Sequence, residues 1–489
     1  MGLLSVLPAP ALRFLRKLIL SQGRRLGVDQ MLAQSKRRAL KAAVAAARHS
    51  AAYRTLLKEH GLDPLGLRAQ SDPRQLPVLT KANTFGRFTL DQLSRPSSAS
   101  ELADVLTSSG REGRGHGFRL TSRDQHADSW FSIDLGLQDV FAVDQQPTLL
   151  VNCLPMGVVF HSRAVAVANV SVREDMACSI LRDVGPAFEQ TVVCTDPLFI
   201  RRLLDEARQA QVDWSRLNTS VIVGEEVLVE AQRDYIAARM GIDIERDPHR
   251  FIGSSFGVGE LGLNLLFESR ETIRIRRAMR HQPALTAVVC GSAAVDALPS
   301  LFCYNPLRSY VEILNPGPDG FGELCITMLD ERAVIALPRY ATGDLARLLS
   351  PGEMASAAEM AGTATPWLPM IAVQGRIKDR PLGWPSVESI KELIYVDHGI
   401  ADQLTGAFRL QAHADGGVEL VLQALRGEAA ARADLREQLL ALAAQRGIGE
   451  LHVDVVAPDQ FPWRPLLDYE RKFAYVPSSG LDVPAGPAY

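Results

Sequence analysis

Val105-Leu106-Thr107-Ser108-Ser109-Gly110-Arg111-Glu112-Gly113-Arg114-Gly115-His116-Gly117 places three consecutive hydroxyl residues and four glycines in one short span. The span is entered from apolar Val105 and Leu106 and left through the strand-like Phe118-Arg119-Leu120. Glycine allows positive φ, so successive backbone N–H groups can point at one anion, and the Thr and Ser hydroxyls add donors. That makes a loop able to cradle phosphate. It lacks a terminal Gly-Lys-Ser/Thr, so it is not a mononucleotide P-loop. On this stretch alone, a glycine-rich surface hairpin is the competing reading.

Outward from the loop, a chain of 489 residues is long enough for two or three domains around a large core. Hydrophobic residues at 47% and charged residues at 22% describe a soluble globular protein. A net charge of −3 offers no basic surplus and argues against nucleic acid as a partner. Cys153, Cys178, Cys194, Cys290, Cys303 and Cys325 are scattered, without a Cys-x-x-Cys pair, as buried reduced thiols of a cytoplasmic protein are. Arg13, Arg16 and Lys17 interrupt the apolar first twenty residues, so neither a signal peptide nor a spanning helix fits. Leu12, Leu15, Leu18 and Ile19 share one helical face, which is expected to pack on the protein; contact with a membrane surface is the alternative.

Hydrophobic patterning predicts helices over 29–61, a helix starting at Lys81 behind Thr80, and a helix over 121–137. A buried strand follows over 148–154, an apolar helix over 164–170, then strand 191–194, helix 197–211 and strand 219–223. Strand alternating with helix argues a parallel sheet with crossover helices. Short strands and turns are expected over 273–320. The fold class is α/β: a large N-terminal domain of parallel and mixed sheets with crossover helices, then a small α+β C-terminal lid.

Six segments in order resemble the motifs of adenylate-forming enzymes, the superfamily of acyl-CoA synthetases, luciferases and peptide-synthetase adenylation domains. They are Thr107-Ser108-Ser109-Gly110 with Gly113, Val223-Gly224-Glu225-Glu226, Ser255-Phe256-Gly257-Val258-Gly259-Glu260, Tyr340-Ala341-Thr342-Gly343-Asp344-Leu345, Gly375-Arg376-Ile377-Lys378-Asp379 and Glu470-Arg471-Lys472-Phe473. Ala52-Tyr53-Arg54, Leu76-Pro77-Val78-Leu79-Thr80-Lys81 and the Lys472-Phe473 pair look most like the phenylacetate-CoA ligase branch and its capsule-biosynthesis relatives.

The resemblance implies an adenylation domain over 1–375 and a lid over 376–489 that carries the catalytic lysine. It implies that Thr107, Ser108, Ser109, Gly110, Arg111 and Gly113 hold the ATP phosphates. Gly224, Glu225, Ser255, Phe256, Gly257 and Asp344 would hold adenine and ribose, and Glu260 would hold Mg²⁺. Phe160 and His161 would line the acyl pocket; Arg376 and Lys472 would be catalytic. The implied reaction is ATP-dependent activation of a carboxylic acid to an acyl-adenylate, then transfer to a thiol, either coenzyme A or a carrier protein acting in trans. A homodimer stays open. Taken singly, Glu260 reads equally as a helix-start acid, Asp344 as a turn former and Lys472 as an exposed lysine. Two departures, Arg111-Glu112 where the superfamily has two threonines and a shortened segment over 380–385, support the alternative of a catalytically impaired module that binds a nucleotide or acyl-adenylate in a regulatory or scaffold role.

Overall fold

The computed structural model describes residues 3–69, 72–96, 99–108, 116–155, 157–426, 428–461 and 474–476. Strands β1 (Leu102–Thr107) and β2 (Phe118–Ser122) form an antiparallel hairpin around the glycine-rich stretch. The main sheet takes β3 (Thr148–Asn152), β4 (Ala166–Asn169), β5 (Gln190–Thr195), β6 (Thr219–Val223) and β7 (Ile252–Val258) in parallel. It continues antiparallel through β8 (Gly262–Phe267), β9 (Ser300–Tyr304), β10 (Ser309–Leu314), β11 (Gly322–Met328), β12 (Tyr340–Leu348) and β13 (Met370–Arg376). Among the described residues this gives eleven strands in the order β10-β11-β12-β13-β9-β8-β7-β6-β5-β3-β4. The change from parallel to antiparallel falls at β7.

Every residue of β3 and β5 is buried, which is why both read as unbroken apolar runs and not as alternation. Helices Glu174–Asp183, Phe199–Gln209 and Glu230–Met240 connect the parallel strands. A smaller sheet of β14 (Leu404–Ala412), β15 (Val418–Ala424) and β16 (Leu451–Val456) carries the helix Ala429–Gln445. The helix Val387–Tyr395 joins it to the main sheet: Ile390, Leu393 and Ile394 pack in one continuous core with Leu203, Tyr235 and Phe408. Burying each such side chain stabilises the fold by about 1.5–3 kcal/mol.

The expected fold class is the observed one, with three local corrections. Residues 164–170 hold the edge strand β4 and no helix; Val165 and Val167 are β-branched, and pairing with β3 decides the outcome. No helix starts at Lys81, because Asn83 turns its side chain back onto the Val78 carbonyl and the Thr80 N–H, fixing a turn. The span 273–320 contains helices Arg270–Met279 and Pro283–Cys290, the first capped by Ser269 and the second opened by Pro283.

The first long helix, Ala9–Leu26, lays Leu12 on Trp130 and Phe131 and sends Arg16 to Asp144 at 3.0 Å, so its apolar face is packed on the protein. No helix among the described residues is long and apolar enough to cross a membrane. All six cysteines are buried and unpaired.

Candidate active site

β6 stops at Val223, while β7 continues to Val258 and pairs with β8 on its far side. The backbone after Ser254 is therefore uncovered on the β6 side, and a cleft of about 370 Å³ opens at the carboxyl end of the parallel strands. Ligands of open α/β sheets sit in such a crevice.

Segments far apart in sequence line this cleft. The hairpin brings Thr107 and Ser108, the end of β6 brings Gly224 and Glu225, and β7 brings Ser255, Phe256 and Gly257. Glu260 comes from the β7–β8 turn, Asp344 from β12, Arg376 from β13 and Phe160 from the β3–β4 connection. His161 is outside the wall, its ring edge-on to His126 at 5.4 Å. Ser109, Gly110, Arg111, Gly113 and Lys472 lie outside the described residues.

Ser108 closes the neck of the hairpin. Its backbone N–H donates to the Gly117 carbonyl at 2.9 Å, and its hydroxyl oxygen accepts from the Gly117 N–H at 2.9 Å and from Lys81 Nζ at 3.0 Å. Lys81 Nζ also stands 3.8 Å from Oε1 of the buried Glu260. Gly117 makes this packing possible, since a Cβ there would fall 2.3 Å from the Glu260 carboxylate. An ammonium, a hydroxyl and a carboxylate thus meet where the loop enters the cleft.

On the opposite wall Asp344 is buried and paired in register with Arg376, and Gly343 supplies the positive φ of the turn before it. Glu225 holds φ at +71°, a backbone conformation a non-glycine residue keeps only when its surroundings impose it.

No protein-family profile and no curated protein matches the sequence. Solved structures do. A 2-hydroxyisobutyryl-CoA ligase in the postadenylation state with R3-HIB-AMP superposes at a TM-score of 0.63 and 15% identity, over 92% of this chain and 89% of that one. The same ligase with 2-HIB-AMP gives 0.62 at 16% identity over 92% and 89%, and an open conformation with 2-HIB-AMP and CoA gives 0.52 at 14% identity over 92% and 91%. The chain has the fold of the adenylate-forming ligases.

Within this adenylate-forming fold, three cleft residues were not singled out for the site by any motif. Lys81 is one. Lys391, buried on the helix Val387–Tyr395, donates to Glu226 Oε2 at 2.9 Å and to the Val227 carbonyl at 3.1 Å. Tyr475 donates its hydroxyl to the same Glu226 oxygen, lies 4.9 Å under the Lys391 ammonium and packs its ring against Phe408, tilted by 33° with centroids 4.5 Å apart. The Tyr475 carbonyl accepts from the Leu410 N–H at 2.8 Å. The available signal was Glu388 and Lys391, two charged residues three apart on a helix whose remaining buried positions are mostly apolar. Glu388 is held by Arg380 at 2.9 Å, and Gly375, at φ +50°, leaves room for its carboxylate.

At the end of β5, Asp196 accepts from the Leu198 and Phe199 N–H groups at 2.9 and 3.0 Å. Burial pushes its carboxyl up to about 7 against those two bonds, and Glu226 and Glu225 add to the rise.

Proposed function

We propose that the protein activates a carboxylic acid with ATP, releasing pyrophosphate, and passes the acyl group from the adenylate to a thiol. The single observation that carries this reading is the convergence of Ser108, Gly224, Phe256, Glu260, Asp344 and Arg376 on one cleft of ligand size. The acid oxygen bonds to the α-phosphorus as the bond to the bridging oxygen breaks, and a thiol sulfur later displaces AMP from the acyl carbon. Two anions must meet in the first step, so donors and cations carry the catalysis.

In this reading Asp344 accepts from the ribose hydroxyls, and Gly224, Glu225, Ser255, Phe256 and Gly257 enclose adenine. Thr107, Ser108, Ser109, Gly110, Arg111 and Gly113 hold the leaving pyrophosphate, with Lys81 beside them. Glu260 is the carboxylate available to Mg²⁺, which would neutralise phosphate charge when bound. Arg376 faces the ribose and phosphates, and Phe160 bounds the acyl side. Lys472, three residues before Tyr475 in the chain, is in this reading the lysine that bridges the acid and the α-phosphate. The lid in this reading is 376–489, the acceptor coenzyme A or a carrier protein in trans, the location cytoplasmic, and the acid aromatic or medium-chain, as in the phenylacetate-CoA ligase branch.

Acid-dependent exchange of labelled pyrophosphate into ATP tests the proposal. Lys472→Ala is expected to lower exchange by about a hundred-fold or more while AMP binding persists. Absence of exchange across a broad acid panel, with ATP still bound, would replace the ligase by the binding module that Arg111-Glu112 favours.

A further inference from the structure

Behind the nucleotide cleft lies a second cavity of about 710 Å³ that shares Glu260 and Asn264 with it. Arg119 and Arg308 both reach this space. Their guanidinium nitrogens come within 3.3 and 3.4 Å of where a side chain on Gly262 would begin, so two cations share one small volume. Among the described residues Arg308 gives its terminal nitrogens only to main-chain carbonyls, Asn264 at 2.8 Å and Leu263 at 3.1 Å. Among the described residues neither arginine forms an ion pair; Asp104 offsets the Arg119 charge from a distance.

The fully buried arginines are matched by acids, Arg16 with Asp144, Arg233 with Glu230 and Glu268, Arg339 with Glu312. At Arg308, burial and the charge of Arg119 pull the guanidinium down to about 10, well below its ordinary value. Three of the four acids on the cavity wall are engaged elsewhere, Asp330 by Gln125 at 2.9 Å, Asp139 by Arg24 at 2.8 Å and Glu260 facing Lys81, and the fourth, Glu331, is exposed. The Thr121 hydroxyl, also on this wall, is buried without a hydrogen-bond partner among the described residues. A half-buried cation with no acid beside it and an orphaned buried hydroxyl are both unfavourable unless something fills the space.

We propose that this cavity binds an amphipathic carboxylate, its head between Arg119 and Arg308 and its apolar body along Phe131, Leu135, Leu265 and Met328. The volume suits a small organic ligand, and the guanidinium fork matches a carboxylate. The ligand is distinct from the acid being activated, whose carboxylate must reach the α-phosphate, so the site stands whether or not the ligase reading does.

Titration calorimetry of the full chain with decanoate, decyl phosphate, decanol and inorganic phosphate tests this. Decanoate is expected to bind wild type and Asp344→Ala alike, with decanol and inorganic phosphate silent. Arg119→Met should weaken decanoate by about ten- to a hundred-fold, the loss of one charge-assisted pair, with ATP affinity unchanged. The same variant without ligand should unfold at a higher temperature than wild type, because a half-buried charge that repels Arg308 is gone. Arg308→Lys keeps the charge but not the fork, and gives the same loss of decanoate binding should Arg119→Met not fold. Decanoate binding that survives in both variants, or that disappears in Asp344→Ala, would overturn the site. Decyl phosphate binding tighter than decanoate would overturn the choice of carboxylate.

Discussion

Each end of β8 holds a pair of arginines, fully buried at one end and half-buried at the other, and the two pairs differ in what faces them. Beyond its last residue, Arg233 and Arg276 surround Glu230 and Glu268, with Arg233 2.9 Å from both acids. Burial alone would raise the Glu230 carboxyl, but the arginine charges overcome it and hold the group down at about 2. At its first residue, Arg119 and Arg308 come together beside Gly262, and among the described residues neither is paired with a carboxylate. A matched buried cation is part of the framework, while an unmatched one is a place where the folded chain is incomplete. The chain spends its acids at the first end, where Arg233 also bonds the Ile252 carbonyl and so braces β7 beneath the cleft.

The strongest way to break this comparison is Arg233→Met. It leaves Glu268 with Arg276 alone and Glu230 with Arg276 and Arg277, and breaking a buried pair costs about 3–5 kcal/mol. Chemical denaturation should show that loss with an unchanged slope against denaturant. A loss below about 1 kcal/mol would show that the network is not structural, and that its contrast with Arg119 and Arg308 has no meaning.

Lys391 offers the intermediate case, a buried cation matched by an acid that is itself partly open to the cleft. Lys391→Met removes one charge-assisted bond to Glu226 and is expected to destabilise by about 1–2 kcal/mol. Because Tyr475 shares the Glu226 oxygen, pyrophosphate exchange should fall further than stability accounts for. Equal activity in the folded variant would separate Tyr475 from any part in holding the tail at the cleft.

Legibility in sequence follows the range of the interaction. The parallel half could be read because β3 and β5 are buried on both faces, which local composition records. The cleft residues could be read because Gly224, Phe256 and Asp344 lie in or at the ends of strands inside short motifs. β4 could not, since an edge strand of alanine and valine is specified by its partner and not by its own pattern. Lys391 meets Glu226 across 165 positions of sequence, and Arg308, just before β10, meets Arg119 of β2 beside Gly262. The one local mark on Lys391 is its place three residues after Glu388 on a mostly apolar helix face, and Arg308 has no such mark to set it apart from a solvated side chain. His161 shows the converse: its neighbour Phe160 reaches the cleft, and one step along the chain turns the next ring to His126 instead.

Asp196 sharpens the comparison from the opposite charge. It is a buried carboxyl with no arginine beside it, held by two backbone N–H groups, and its Oδ2 has no partner among the described residues. Its ordinary value of 3.8 applies to the unfolded chain, and burial carries the folded value to about 7. Between those limits the folded state binds the proton and the unfolded state does not. The contribution to stability is therefore complete below the unfolded value and is lost as pH rises through about 7. From pH 7 to 8 the change is only a few tenths of a kcal/mol, steepening toward about 1.4 kcal/mol per unit at lower pH. Asp196→Asn keeps the neutral shape and should flatten this part of the profile, so thermal melts of both proteins from pH 5 to 8 should converge at the acid end and separate at the alkaline end. Parallel profiles would mean that Asp196 is already charged in the fold, and that the N–H groups of Leu198 and Phe199 balance an anion as fully as Glu230 and Glu268 balance their arginines.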